Sequence, residues 1–234
     1  MECVADRYER NIIVPGFGQE CQNKLLNAKV IVVGAGGLGS AVLQYLAAAG
    51  IGTIGIVEFD EISNTNLQRQ TLYTTSNLGR PKVFVAAERI MAVNPEITVV
   101  TYPKKLTPAN AADILNGYHI VVDCTDNFET RYNIDNFCRE NSIPMVYGTA
   151  QEASGQVSVF HTEGAGGYRS LYPESGKQDK GNDSPVGVLS SVPGIIGTIQ
   201  AMEVIKLITG FGQPLVGKLL VMNAADMDFS VFKI

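Results

Sequence analysis

A glycine-rich stretch early in the chain has the spacing of a phosphate-binding loop. The letters GAGGLG place glycines at Gly34, Gly36, Gly37 and Gly39, between a short β-branched run and an apolar helical pattern. In a strand–turn–helix unit, such glycines let the backbone approach a phosphate group, and the helix directs its free N–H groups at the anion. The stretch therefore predicts a nucleotide site, and NAD and ATP fit it equally well.

Polar side chains around the next predicted strand favour ATP. Glu58 lies at the end of that strand, where an acid can accept hydrogen bonds from ribose hydroxyls. The stretch NTNLQRQ then supplies Asn66 and Arg69, and an extra arginine with several amides suits a triphosphate better than the pyrophosphate of a dinucleotide. Lys82 is predicted in the first turn of a helix, where the helix dipole disfavours a cation, so we expect an anion near it.

The stretch VVDCTDN ends another predicted strand with two acids, Asp123 and Asp126. A carboxylate at this edge of the sheet, facing a triphosphate, is a natural ligand for Mg²⁺. Asp126 could equally cap the helix that is predicted to begin at Phe128. A redox reaction is disfavoured because neither His119 nor His161 falls at a strand end where it could serve a hydride acceptor.

The elements that would position these residues alternate between strands and helices. This order predicts a doubly wound α/β fold with a mostly parallel, Rossmann-like sheet, and the alternating patterns beyond Gly155 predict an antiparallel C-terminal extension. We expect one domain over residues 1–234, with a nucleotide-binding core at about 28–150 and a carrier-binding extension with a crossover loop at about 151–234. The uncharged run from Val30 to Val57 is long enough to cross a membrane, but its glycines and changing pattern indicate strand, helix and strand.

Composition and charge argue against several classes of function and of structural site. The chain has 234 residues and a net charge of −5, without a basic patch, so we expect neither nucleic acid nor a membrane as a partner. Its four cysteines form no C-x-x-C pair, which gives no zinc or disulfide framework. The start MECVADRYER is charged and unlike a signal peptide, and we expect a cytoplasmic protein.

A set of motifs together resembles the ThiF/MoeB/HesA adenylyltransferases, the bacterial relatives of ubiquitin-activating enzymes. The motifs lie in register from about Arg7 to the C-terminus and read RYERNIIVPGFG, VVGAGGLGS, EFDEISNTNLQRQTLY, GRPKV, VVDCTDN and GTIQAMEVIKLITG. The resemblance implies a homodimer that uses ATP and Mg²⁺ to adenylate the C-terminal glycine of a ubiquitin-like sulfur carrier protein ending in Gly-Gly. The carrier would be ThiS, in thiamin synthesis, or MoaD, in molybdopterin synthesis.

The resemblance also implies which residues bind the nucleotide. They are Gly34, Gly36, Gly37, Gly39, Glu58, Asn66, Arg69, Lys82, Asp126 and Asn127. Among them Gly37 would contact the nucleotide from the glycine loop and Glu58 would bind the ribose. Asn66 would contact a phosphate, and Asn127 would lie beside the nucleotide.

Four of the matching residues are the implied catalytic residues. Arg69 and Lys82 would contact the phosphates, and Asp126 would be the acid linked to Mg²⁺. Arg10 matches an arginine that reaches into the active site of the partner subunit, so the dimer itself would be functional.

The departures from the family pattern concern zinc and sulfur. Many members bind zinc through two C-x-x-C pairs, but the register of the first pair falls here on GYRS, at 167–170, and zinc is not expected. The long loop from Glu163 to Pro185 is a candidate clamp over the carrier tail, and its GNDSPVG stretch has no cysteine for a sulfur link. We therefore expect the reaction to stop at the adenylate, with a separate sulfur donor.

Several alternatives remain open beside the preferred ThiS-type reaction. The first is MoeB-like adenylation of MoaD, and another is adenylation of a peptide or a tRNA base, the latter disfavoured by the acidic charge balance. An NAD-dependent oxidoreductase and a non-catalytic nucleotide-binding subunit are the remaining candidates.

Overall fold

The computed structural model describes residues 7–163, 165–173 and 187–234, and an eight-stranded sheet forms the centre of this part of the molecule. In chain order the strands are β1 (Lys29–Val33), β2 (Thr53–Val57), β3 (Thr98–Tyr102), β4 (Ile120–Asp123), β5 (Met145–Gln151), β6 (Ser154–Phe160), β7 (Lys218–Asn223) and β8 (Asp228–Lys233). The helices are α1 (Glu9–Ile12), α2 (Gly18–Leu26), α3 (Gly37–Ala49), α4 (Lys82–Val93), α5 (Ala111–Leu115), α6 (Phe128–Asn141), α7 (Tyr168–Leu171) and α8 (Ser191–Thr209). Two short 3₁₀ turns, Asn64–Asn66 and Thr75–Asn77, lie between β2 and α4.

The sheet has the strand order β3-β2-β1-β4-β5-β6-β7-β8. The first five strands of this order, from β3 through β2, β1 and β4 to β5, pair in parallel. The strands from β5 through β6 and β7 to β8 pair antiparallel. The doubly wound sheet with an antiparallel C-terminal extension is therefore confirmed. Since the chain winds outward from β1 on one side and from β4 on the other, a crevice opens at the carboxyl ends of these two strands.

Helices cover both faces of the parallel part of the sheet. In β1, Val30 and Val32 pack on the side of α3, α4 and α8, whereas Ile31 and Val33 pack on the side of α5 and α6. Successive residues of a strand point to opposite faces, so a strand buried on both sides is apolar throughout. The uninterrupted VIVV run before the glycine loop follows from this burial.

The uncharged run between Val30 and Val57 consists of β1, α3 and β2, as predicted. Within the described ranges, Ser191–Thr209 is the one helix that is long and apolar enough to cross a membrane by length and composition. Half of that helix is buried, and it packs against α3, β5 and β6. A buried core helix of a globular domain has the same apolar character.

Two helices begin later than their sequence patterns predict. The stretch RPKVFVAAERIMAVNP predicts a helix with Pro81 in its first turn, but Pro81 precedes α4 and is held in an extended conformation by a bridge to Glu61. The stretch TPANAADIL predicts a helix that opens at Thr107 and Pro108, but the helix begins at Ala111. There the Asn110 side chain accepts the Thr107 N–H at 2.8 Å and closes a turn before the helix starts.

Candidate functional site

The glycine loop connects β1 to α3 at the crevice. Gly34 has a positive φ of 96°, and a Cβ there would lie 2.6 Å from the backbone oxygen of Cys124 on the neighbouring strand connection. A Cβ on Gly39 would lie 2.2 Å from the Gly34 oxygen, so both positions require glycine. Helix α3 begins at Gly37 with neither an acidic residue in its first turn nor a side-chain cap. Its first N–H groups are thus directed at the crevice as an anion site.

Two buried side chains hold the glycine loop through Ala35. The Glu58 Oε2 atom accepts the Ala35 N–H at 3.0 Å, and the Tyr73 hydroxyl donates to the Ala35 oxygen at 2.7 Å. Glu58 Oε1 accepts two further backbone N–H groups, from Phe59 at 2.8 Å and Asp60 at 2.9 Å. Three of about four acceptor positions of the carboxylate are therefore used. Glu58 organises the loop from the end of β2, and its contact with a ribose stays a prediction.

Arg69 lies beside the glycine loop, next to the start of α8. A Cβ on Gly37 would be 3.6 Å from Arg69 Cγ and 2.8 Å from Pro193 Cβ. The Arg69 backbone N–H donates to the Asn66 oxygen at 3.1 Å, and its Nη1 donates to the Thr65 oxygen at 3.1 Å. The turn NTNLQRQ therefore brings Arg69 to the start of α3. The Asn66 Oδ1 atom accepts the Ser63 N–H at 3.1 Å, and its contact with a phosphate stays a prediction.

Lys82 occupies the first position of α4, and its side chain is almost fully buried. Its Nζ atom lies 3.0 Å from Asp60 Oδ2, and Asp60 is about half exposed, at 51%. The anion that the sequence predicts near Lys82 is thus present as a protein carboxylate. An ammonium group has three donors, so Lys82 retains donors for a phosphate. That phosphate contact stays a prediction.

The two acids at the carboxyl end of β4 have opposite environments. Asp123 is fully buried, and its Oδ1 accepts the Thr125 N–H at 2.9 Å and the Thr125 hydroxyl at 2.6 Å. Burial raises the pKa of Asp123, while the positive charge of Arg131 and these hydrogen bonds oppose that rise. Asp126 is exposed, and among the described residues its carboxylate has one long hydrogen bond, 3.5 Å from Asn127 Nδ2.

The alternative that Asp126 caps α6 is wrong. Asn127 is the N-cap residue, and its Oδ1 accepts the Thr130 N–H at 2.9 Å. Asp126 remains available at the carboxyl end of β4, directly after Thr125, whose nitrogen would lie 3.4 Å from a Cβ on Gly34. An exposed carboxylate on the residue next to this contact with the glycine loop fits Mg²⁺, which takes one or two carboxylates together with phosphate oxygens.

Arg10 lies far from the glycine loop of its own chain. Its helix, α1, follows Tyr8, whose ring lies against Gly50 at the end of α3 and whose hydroxyl accepts a hydrogen bond from Asn94 at 2.8 Å. The 13 residues of α3 separate this end from the glycine loop by about 20 Å. Arg10 is exposed and has no ion pair within the described ranges. It cannot reach the glycine loop of its own chain.

Three supporting residues were missed by sequence reasoning. Tyr73 and Asp60 stand in polar stretches where neither periodicity nor spacing distinguishes them, and Pro193 lies far along the chain from the glycine loop that it touches. Their roles follow from long-range contacts, and the sequence carries no local signal for such contacts.

A buried charge network includes two residues of the GYRS stretch, at 167–170, where the first C-x-x-C pair of the family would fall. Asp135 on α6 accepts hydrogen bonds from His161 Nε2 at 2.7 Å, from the Tyr168 N–H at 2.7 Å and from Arg169 Nη1 at 3.0 Å. Burial alone would raise the pKa of Asp135, but the bonds from His161 and Tyr168 and the charges around it lower that pKa below its usual value. No group of three or more metal-binding side chains is present within residues 7–163, 165–173 and 187–234.

Asp135→Asn is expected to lower the free energy of unfolding at pH 7 by about 2 to 3 kcal/mol, because hydrogen bonds to a buried charge are lost. The pKa of Asp135 is lower in the folded protein than the 3.8 of the unfolded chain. Its stabilising contribution is therefore complete above that value and is lost as the pH falls through the folded pKa. Urea unfolding at pH 7 and at successive values below 4 should show the deficit of the variant shrinking.

The control is Glu140→Gln, an exposed position on the same helix, which should change stability by no more than about 0.5 kcal/mol. A deficit of Asp135→Asn that stays constant across the pH range would contradict the assigned role of the charge.

The chain is similar to known proteins along almost its whole length. The model of the ThiF family matches residues 8–234. The sulfur carrier protein adenylyltransferase of Thermus thermophilus is 43% identical over 230 residues, which are 96% of this chain and 85% of that protein. The probable molybdopterin-synthase adenylyltransferase of Porphyra purpurea is 42% identical over 230 residues, 97% of this chain and 60% of that protein. A solved structure of E. coli MccB with MccA-N7isoASN has a TM-score of 0.88 at 24% identity, over 97% of this chain and 72% of that one, and shows the shared fold.

Proposed function

Because the chain belongs to the ThiF family, we propose that it uses ATP and Mg²⁺ to adenylate the C-terminal glycine of a ubiquitin-like sulfur carrier protein. One observation carries the proposal: the glycine loop meets Arg69 on one side and the Thr125–Asp126 turn on the other. This combination offers backbone N–H groups, a guanidinium and a free carboxylate around one anion site. A triphosphate with its metal ion needs all three.

The proposed reaction is an in-line attack of the carrier carboxylate on the α-phosphorus of ATP. The new bond joins the carboxylate oxygen to that phosphorus, the bond to the β-phosphate oxygen breaks, and pyrophosphate leaves. The glycine loop and the start of α3 would hold the phosphates, and Arg69 and Lys82 would stabilise the charge that develops on the leaving pyrophosphate. Asp126 would hold Mg²⁺, which supplies further charge neutralisation.

No covalent intermediate on the protein is needed for this reaction. The described thiol nearest the loop, Cys124, is buried, and burial raises its pKa well above the usual value. It is therefore a neutral thiol and a poor nucleophile. The chain would act by positioning and by charge stabilisation.

We propose further that the enzyme works as a homodimer in which Arg10 serves the partner's site. Arg10 is exposed, and its helix follows Tyr8, which contacts the end of α3 that lies about 20 Å from the glycine loop. An apolar groove of about 860 Å³ between α3, α8 and β8 supports a second copy as the occupant, with Tyr45, Ile195, Ile199 and Phe229 in its lining. Exposed apolar patches of this kind mark protein interfaces.

A ThiS-type carrier is the first candidate for the partner. A MoaD-type carrier is the second, favoured by the likeness to a molybdopterin-synthase adenylyltransferase. The expected clamp over the carrier tail, Glu163–Pro185, lies largely outside the residues that the structure describes. A separate protein would donate the sulfur.

Carrier-dependent pyrophosphate exchange tests the function. We expect labelled pyrophosphate to enter ATP only when a carrier ending in Gly-Gly is added, because adenylation is reversible and needs the carrier carboxylate. Glycines thread most easily to a site lined by backbone, since they have no side chain. The measurement compares a ThiS-type carrier, a MoaD-type carrier and each carrier without its last glycine. Exchange with neither intact carrier would overturn the proposal, and adenylation of a peptide or tRNA base would then be the next reaction to test.

A further inference from the structure

The backbone of Thr125 is held at both its polar groups by one buried ion pair. Asp123 Oδ1 accepts the Thr125 N–H at 2.9 Å, and Arg131 Nη2 donates to the Thr125 oxygen at 2.7 Å. Asp123 ends β4, and Arg131 lies in α6, so the strand and the following helix clamp the turn between them. Asp126 is the next residue after this clamped peptide unit. Its Cα is therefore carried by a backbone whose orientation is fixed from two sides.

Arg131 is itself held rigidly. Its Nη2 also donates to the Thr149 hydroxyl at 3.2 Å on β5, and its guanidinium lies 5.5 Å from the ring centre of Tyr147. The residue is 7% exposed, and the charge of Asp123 is fully buried beside it. Lys at this position would keep the charge but would lack the planar fork that serves Thr125, Thr149 and Asp123 together.

The ion pair is poorly arranged for stability alone. Arg131 Nε and Asp123 Oδ2 are 3.6 Å apart, and neither of these two atoms has a hydrogen bond within the described residues. A buried pair with incomplete hydrogen bonding is often no more stable than apolar side chains of similar size. Its hydrogen bonds to Thr125, by contrast, have short lengths of 2.6 to 2.9 Å. The pair is better suited to placing the turn than to stabilising the fold.

We propose that Asp123 and Arg131 are positioning residues that fix the Thr125–Asp126 turn, so that the Asp126 carboxylate points into the crevice beside the glycine loop. The inference rests on the proposed function for its catalytic meaning, while the positioning of the turn is a property of the chain itself. Both side chains are buried, so we assign them no direct contact with substrate. They act through Asp126, as the outer hydrogen-bonding partners of a metal ligand do in other proteins.

The test uses the double variant Asp123→Asn/Arg131→Gln, which removes both charges together and leaves no buried charge unpaired. We expect the Mg²⁺ concentration for half-maximal pyrophosphate exchange to rise about 10-fold or more, as for other losses of outer partners of a metal ligand. The affinity for ATP without Mg²⁺ should stay near that of the wild type. Amide hydrogen exchange of a peptide spanning 124–127 should accelerate, which reports the loosened turn independently of activity.

The control variant Thr149→Val removes only the hydrogen bond from Arg131 Nη2 to the Thr149 hydroxyl. It should leave both the Mg²⁺ requirement and the amide exchange at 124–127 close to those of the wild type. A folded double variant with the Mg²⁺ requirement and the amide exchange of the wild type would overturn the proposal. If the double variant does not fold, Arg131→Lys takes its place, and we expect it to raise the Mg²⁺ requirement about 3-fold or more. A Mg²⁺ requirement and an amide exchange at 124–127 equal to those of the wild type would then overturn the proposal.

Failure of the proposed function has a different signature. The wild type would then show no pyrophosphate exchange with any carrier, whereas amide exchange at 124–127 would still separate the double variant from Thr149→Val. The dependence of ATP affinity on Mg²⁺, measured by calorimetry, replaces the kinetic readout in that case.

Discussion

Asp126→Asn is expected to abolish carrier-dependent pyrophosphate exchange, with a loss of about 10²-fold or more if the carboxylate holds one main electrostatic stabiliser of the transition state. The side chain is exposed at the end of β4 and has one long hydrogen bond, 3.5 Å from Asn127. An amide has no charge and binds Mg²⁺ more weakly than a carboxylate, so charge on the leaving pyrophosphate would be poorly neutralised. Initial exchange rates at saturating ATP and carrier measure the loss.

The fold should be unaffected by this change, because Asn127 and not Asp126 caps α6. The thermal midpoint of Asp126→Asn should therefore equal that of the wild type. Glu129→Gln removes the same charge from the first turn of the same helix, where Glu129 pairs with Lys105 at an exposed site, and should retain exchange. Wild-type exchange in Asp126→Asn would show that the metal ion is held elsewhere.

Arg10→Ala is expected to slow adenylation by about 10³-fold, at the low end of the range for an arginine supplied in trans to a phosphoryl-transfer site. Affinity for ATP should change little, because an arginine supplied in trans stabilises charge that develops in the transition state, whereas the glycine loop and Arg69 of one chain would bind the nucleotide in the ground state. The decisive measurement mixes Arg10→Ala with Asp126→Asn in equal amounts after subunit exchange. Activity should return to about a quarter of the wild-type rate, since half of the dimers are mixed and each mixed dimer has one complete site.

Glu9→Ala is the matched control, because Glu9 is exposed on the same short helix as Arg10. It should leave adenylation near the wild-type rate. Recovery in the mixture requires that Arg10 and Asp126 of one site come from different chains. Confirmed subunit exchange without recovery would mean that Arg10 does not act across the dimer.

Features that depend on neighbours in the chain were predicted well. The glycine spacing, the VIVV run and the change of pattern after Gly155 predicted β1, α3, the doubly wound sheet and its antiparallel extension. Helix starts were predicted less well. Asn110 closes a turn before α5, and the bridge from Glu61 holds Pro81 extended before α4. One side-chain hydrogen bond set the start of α5, and one backbone bridge set the start of α4. The periodicity of apolar residues predicts neither interaction.

The sequence by itself determined the fold class, the glycine loop between β1 and α3 and a set of polar residues at successive strand ends. It could do so because burial imposes a period on strands and helices, and because a phosphate-binding loop needs glycines at fixed spacing. Only the tertiary structure decided which of these side chains are free to act. It buried Asp123 against Arg131 and left Asp126 exposed, paired Lys82 with Asp60, and placed Arg10 at the opposite end of α3. These distinctions depend on which strands are neighbours and on what packs above them, because a charge acts through its distance to other groups in space and not through its position in the chain.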